Sequence, residues 1–110
     1  MKKTKKFTLN ELNSVLSGNS PAIFLESAHK YIYVDGKRTD TLESTTMTCT
    51  CKGLGPITLV FPPSNELLRQ IENEYPFGSA IYIPNMGELI DVDISIYDNA
   101  LSFKLKMKEL

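Results

Sequence analysis

Between Leu89 and Met107 the chain can pair with itself in one register that satisfies two faces at once, and this constrains its fold more than any other feature. Two runs, Leu89 to Tyr97 and Leu101 to Met107, flank Asp98-Asn99. If those two residues form the turn, Tyr97 faces Ala100 and paired residue numbers sum to a constant. Ile96, Ile94, Val92 and Ile90 then oppose Leu101, Phe103, Leu105 and Met107 on one face. On the other, Asp93 opposes Lys104 and Asp91 opposes Lys106. Such matching is expected of an antiparallel hairpin, and of a chain that is mainly β.

A second hairpin is marked by Asp35-Gly36 directly after Tyr31-Ile32-Tyr33-Val34. A type I′ turn needs positive φ at both central residues, and this dipeptide tolerates it. The returning strand, Lys37 to Lys52, alternates Thr46, Thr48 and Thr50 with Met47, Cys49 and Cys51. A strand of that length in a small domain is expected to bend sharply, as barrel strands do. Gly53-Leu54-Gly55-Pro56 turns the chain into Ile57 to Phe61, a third strand ended by Pro62-Pro63. Ser64 then caps a helix with Leu67, Leu68 and Ile71 on one stripe, closing near Tyr75 before Pro76 and Gly78. Ser79 to Ile83, broken by Pro84-Asn85-Met86-Gly87, leads into the last hairpin.

Near the start, Thr8 followed three residues later by Glu11 matches a capping box. Leu9, Leu12 and Leu16, with Val15 beside them, make a helix of about two turns stopped by Gly18 and Pro21. Three strands, a helix and two strands form the order of an OB-fold, a small Greek-key barrel. The expected fold is therefore a mainly β, OB-like antiparallel barrel with a helix between strands 3 and 4 and a short N-terminal helix. Residues 1–7 are read as a basic flexible tail and residues 8–110 as one domain.

Composition narrows the function classes. With 110 residues, 42% of them hydrophobic and 23% charged, the chain can bury one core and is far from the make-up of a disordered segment. No apolar run approaches the roughly 18 residues of a membrane span. Lys2, Lys3, Lys5 and Lys6 precede Asn10, Glu11 and Asn13 rather than an apolar stretch, so secretion is not expected. Cys49 and Cys51 read as reduced thiols packed as small hydrophobes in a cytoplasmic protein, and with His29 they make only three soft metal ligands. No metal or other cofactor is expected. His29 has no carboxylate or nucleophile at a recognisable spacing, and no nucleophile stands beside a base, so no catalytic residue is assigned and the chain reads as a binding protein rather than an enzyme.

The segment Val34-Asp35-Gly36-Lys37-Arg38-Thr39-Asp40, the threonine-rich strand after it, and Leu101-Ser102-Phe103-Lys104-Leu105-Lys106 carry a resemblance. Over about residues 31 to 107 the chain resembles small proteins of conjugative elements, plasmids and phages of Gram-positive bacteria. Some of these look like gene V-type single-stranded DNA-binding OB-folds. The resemblance implies single-stranded DNA as the partner and a strand surface as the binding element, in a monomer or a homo-oligomer.

Single-strand binders combine aromatic platforms for bases with basic groups for phosphates. Tyr31 and Tyr33 share one face of the first strand, with Lys30, Lys37 and Arg38 close by, and these five residues are the candidate nucleic-acid-binding set. They are equally the residues that would cover a barrel edge and solvate a turn. Lys104, Lys106 and Lys108 could track a backbone, but Asp93 and Asp91 opposite two of them favour a cross-strand charge ladder. The lysine tail is either a phosphate attractor or a solubilising end. A net charge of −1 argues against strong non-specific binding. It favours the competing reading, a protein–protein adaptor whose exposed edge strand pairs with a partner.

Overall fold

A computed structural model describes residues 10–51, 53–97 and 100–108. The Thr8 end of the capping box, Leu9, the Lys2 to Lys6 tail, Lys52 and the Asp98-Asn99 turn lie outside the described residues.

The elements are a helix over residues 10–16 (α1), β1 Ala22–Val34, β2 Lys37–Cys51, β3 Gly55–Phe61, α2 Asn65–Glu74, β4 Ala80–Ile81, a single 3-10 turn Ile83–Met86, β5 Glu88–Tyr97 and β6 Ala100–Lys108. The strands form one curled, mixed sheet in the order β4-β1-β2-β3-β6-β5, the OB-fold-like arrangement with its helix between the meander and the last hairpin. All pairs are antiparallel except β3 with β6, which sets Ile57 beside Phe103 and Leu59 beside Leu105. The barrel is a half-barrel. β4 returns to β1 only at Ala22 and Ile23, and the 3-10 turn separates it from β5, so β1 and β5 do not pair along their lengths.

Asp35 (φ 52°) and Gly36 (φ 76°) both adopt positive φ in the tight turn, and Val34 pairs with Lys37. β1 and β2 are long enough to leave the core. Irregularities after Phe24, Lys30 and Tyr31 bend the pair, and its distal part projects as a two-stranded arm with Ile32, Tyr33 and Val34 exposed. Thr39 holds the last irregularity by donating to the Ile32 carbonyl.

The core lies on one face of the sheet. Met47, Cys49, Cys51, Ile57, Leu59, Phe61, Phe103, Leu105 and Met107 are buried there, with Leu12 and Val15 from α1 and Ile71 from α2. Ser64 caps α2 by accepting from the Leu67 N–H at 3.1 Å, and Tyr75 closes it by donating to the Ile71 carbonyl. Gly18 (φ 82°) ends α1 against the Pro84 ring, at a backbone angle that only glycine adopts readily. No helix among the described residues is long and apolar enough to cross a membrane.

In the last hairpin Tyr97 opposes Ala100, Asp93 opposes Lys104 and Asp91 opposes Lys106, as the alternation requires. Two features depart from the expectation. A bulge at Ile90 pairs Met107 with Leu89 instead of Ile90. The apolar face is also buried on one strand only: Phe103, Leu105 and Met107 are buried, whereas Ile94 is 52% and Ile96 73% exposed. Cross-strand matching fixes register, but burial depends on what covers the sheet. β6 lies inside the sheet between β3 and β5, and β5 lies at the margin.

Candidate nucleic-acid interface

The arm places the five candidate residues on its two faces. Tyr31 and His29 alternate with Lys30 along β1, and their rings meet edge-on at 6.5 Å. Tyr33 pairs directly with Arg38, and the Arg38 guanidinium carbon lies 4.6 Å from the centre of the Tyr31 ring. Tyr31, Tyr33 and Arg38 therefore share one face. Lys37 stands opposite Val34, which puts it with Lys30 on the other face.

The two tyrosines differ in availability. Tyr33 is 64% exposed and presents its ring to solvent. Tyr31 is half-buried, with the Arg38 cation over one side of its ring. This cation–π contact orders a side chain that would otherwise sample many rotamers, leaving the outer plane of the guanidinium as a second flat surface.

On the opposite face Lys30 does not stand alone. It lines a groove of about 320 Å³ with Glu43, Ser44, Val60, Asp93, Lys104 and Lys106. The parallel pairing of β3 with β6 builds this groove, since it sets Thr58 beside Lys104 and Val60 beside Lys106 on the face that Lys30 shares. The pairing with Asp93 and Asp91 exists in the backbone register, yet the Asp91 carboxylate accepts from the Val92 N–H at 2.9 Å and so turns toward its own chain. Lys104 and Lys106 were legible in the sequence as a basic stripe. Their meeting with Lys30 follows from the strand order, in which the last strand lies beside the third.

His29 has a structural position. Its Nε2 is 3.0 Å from Asn65 Oδ1 at the start of α2, and its Nδ1 is 3.1 Å from Thr45 Oγ1. With Nε2–H donating to the Asn65 carbonyl oxygen, Nδ1 accepts from the Thr45 hydroxyl, which itself accepts from the Ser64 N–H. The ring thus ties β1 to the N-terminus of α2. His29→Ala is expected to lower stability by about 1–2 kcal/mol, two modest hydrogen bonds, in urea denaturation followed by circular dichroism.

Cys49 and Cys51 project into the core, and among the described residues no group of three His, Cys, Asp or Glu side chains is placed to hold a metal ion. Burial, with Cys51 nearby, pushes the Cys49 thiol up to about 12; burial, with Glu11 nearby, pushes the Cys51 thiol up to about 11. These are the conditions of packing residues rather than nucleophiles.

No family model, curated protein or solved structure matches the chain.

Proposed function

We propose that this protein binds single-stranded DNA with the β1–β2 arm and the lysine groove behind it, as a binding protein without catalysis, in DNA processing for a cytoplasmic mobile element, plasmid or phage. The observation that carries the reading is the Tyr31–Arg38 stack beside exposed Tyr33, backed by the groove on the reverse face of the sheet that Lys30 of β1 lines together with Lys104 and Lys106 of β6. Bases stack on Tyr33 and on the outer plane of Arg38. Phosphates follow Lys37 and Lys30 around the open edge of β1 into the groove. The OB-like frame and the resemblance of residues 31 to 107 to small proteins of mobile elements, some of which look like single-stranded DNA-binding OB-folds, support the reading.

Anisotropy titration with labelled oligo-dT at two salt concentrations tests it. Tyr33→Ala is expected to weaken binding by about 1–3 kcal/mol, the range for loss of one base–aromatic stack, with the effect persisting at higher salt. Tyr31→Ala acts in the same direction by releasing Arg38. Lys37→Ala or Lys30→Ala lowers the slope of log affinity against log salt by about 0.7 for each phosphate that is no longer neutralised. Undiminished binding by a folded Tyr31/Tyr33 double alanine variant would overturn the assignment of the arm. Absence of binding at low salt would reject single-stranded DNA and leave the adaptor reading, which the open edge of β5 and the net charge of −1 favour.

A further inference from the structure

Among the described residues β5 is an edge strand, bonded to β6 on one side and to no other strand of the sheet. Because Tyr97 opposes Ala100 across a two-residue connection, Tyr97, Ser95, Asp93 and Asp91 exchange backbone bonds with β6. The N–H and C=O groups of Ile94 and Ile96 and the C=O of Val92 therefore point away from β6, along the margin of the sheet, while the Val92 N–H is held by the Asp91 carboxylate, which must swing aside for Val92 to join a second ladder. The side chains of the same three residues lie on the core face of the sheet, and Ile94 and Ile96 are largely exposed there. An uncovered apolar edge of this kind is a template for strand addition, and soluble proteins cover or interrupt such edges.

We propose that a second copy of this chain covers it, through antiparallel pairing of β5 with β5 about a two-fold axis in which Ile94 opposes Ile94 of the other copy. The sequence of the strand selects this occupant and this register. With Ile94 at the centre, Val92 opposes Ile96 twice, so every rung on the core face is apolar on both sides. On the other face Asp93 opposes Ser95, whose hydroxyl can donate to the carboxylate, and Asp91 opposes Tyr97. Moving the axis by one residue toward the N-terminus sets Asp93 against Asp93, two like charges directly across a strand pair. Moving it by one residue the other way sets Ser95 against Ser95 and carries Val92 past the end of the strand, where it loses its apolar partner.

The bulge at Ile90 ends the ladder, limiting the pairing to one short, self-complementary stretch. A two-fold perpendicular to the sheet keeps both core faces on the same side, so the exposed isoleucines of the two copies form one continuous patch instead of two. Such an interface is isologous and uses the same edge of both chains, so it closes at two copies and does not propagate. The proposal does not depend on what the arm binds.

Sedimentation velocity over a concentration series, together with cysteine cross-linking, tests it. The wild-type chain is expected to move with concentration from the 12.4 kDa species to one of twice that mass. Ile94→Lys, which places two ammonium groups face to face on an already exposed position, is expected to weaken association by more than about tenfold. Cys49 and Cys51 are buried, so engineered thiols report alone. Under mild oxidation, Asp93→Cys mixed with Ser95→Cys is expected to give a disulfide-linked heterodimer, while neither variant links to itself. A wild-type chain that stays at 12.4 kDa up to about 1 mM would overturn the proposal, as would self-linking of Ser95→Cys without the mixed link. The cross-links keep the register testable should Ile94→Lys prove unfolded.

Discussion

Phe103→Ala is expected to lower the unfolding free energy by about 3–5 kcal/mol, a large share of the roughly 5–15 kcal/mol typical of a single domain. Phe103 is 1% exposed and sits where three strands meet, beside Ile57 of β3 on one side and Ile94 of β5 on the other. Truncation there removes the buried ring and leaves a cavity that a sheet cannot close, because its backbone spacing is fixed by hydrogen bonds. Ile94→Ala, directly across the hairpin, is expected to cost less than about 1 kcal/mol at concentrations where the chain is monomeric, since half of that side chain already meets water. Urea denaturation of the two variants checks both values. Equal costs would mean that β5 is covered on its core face within the monomer.

Alkaline pH is expected to weaken the fold through two thiols. In the unfolded chain both ionise near their ordinary value of 9.0, whereas burial holds Cys49 protonated to about 12 and Cys51 to about 11. Groups whose folded pKa is raised contribute stability that is fully present below the unfolded pKa and is lost as pH rises through the folded one. Above pH 9 the unfolded state gives up protons that the native state keeps, and each thiol removes up to about 1.4 kcal/mol of stability per pH unit. Near neutral pH the variant Cys49→Ala/Cys51→Ala is expected to be the less stable chain, by about 1–3 kcal/mol of lost packing. Its deficit should shrink by up to about 2.7 kcal/mol per unit above pH 9 and then reverse. Denaturation at pH 7, 9 and 10 measures the difference, in which the titration of lysines and tyrosines common to both chains cancels. A deficit that stays constant with pH would mean that the thiols ionise in the native state.

Local pattern carried much of this fold, and the limits lie where pairing is decided at a distance. Asp35-Gly36, the Ser64 cap and the rungs Asp93–Lys104 and Asp91–Lys106 follow from neighbouring residues, so they could be read directly. The bulge at Ile90 could not, because Leu89-Ile90 alternates with its neighbours as well in one register as in the next, and only the twist at the end of the strand chooses. The exposure of Ile94 and Ile96 escaped for another reason. An apolar residue at the right period shows which face it takes, and a second layer must exist before that face is a core. The candidate set divides similarly. Shared faces for Tyr31 and Tyr33 follow from a period of two, but the contact of Arg38 with Tyr31 requires the irregular register between Tyr31 and Tyr33, and Thr39 sustains it.

The parallel pairing of β3 with β6 also governs how the chain reaches its native state. β1, β2 and β3 are joined by short turns and can assemble as a meander, but that meander ends on an unfilled edge. The strand that completes it, β6, pairs Phe103 with Ile57 across an intervening helix and two further strands. Ordering that long loop costs entropy before the contact repays it, so closure of the sheet is expected to be the slow step, which would show in stopped-flow refolding as a Phe103→Ala variant that folds more slowly. Until it occurs, the alternating Ile57, Leu59 and Phe61 face solvent beside open hydrogen-bonding groups. The same chain that is sealed at its centre when folded is thus most prone to intermolecular pairing at β3 while it folds.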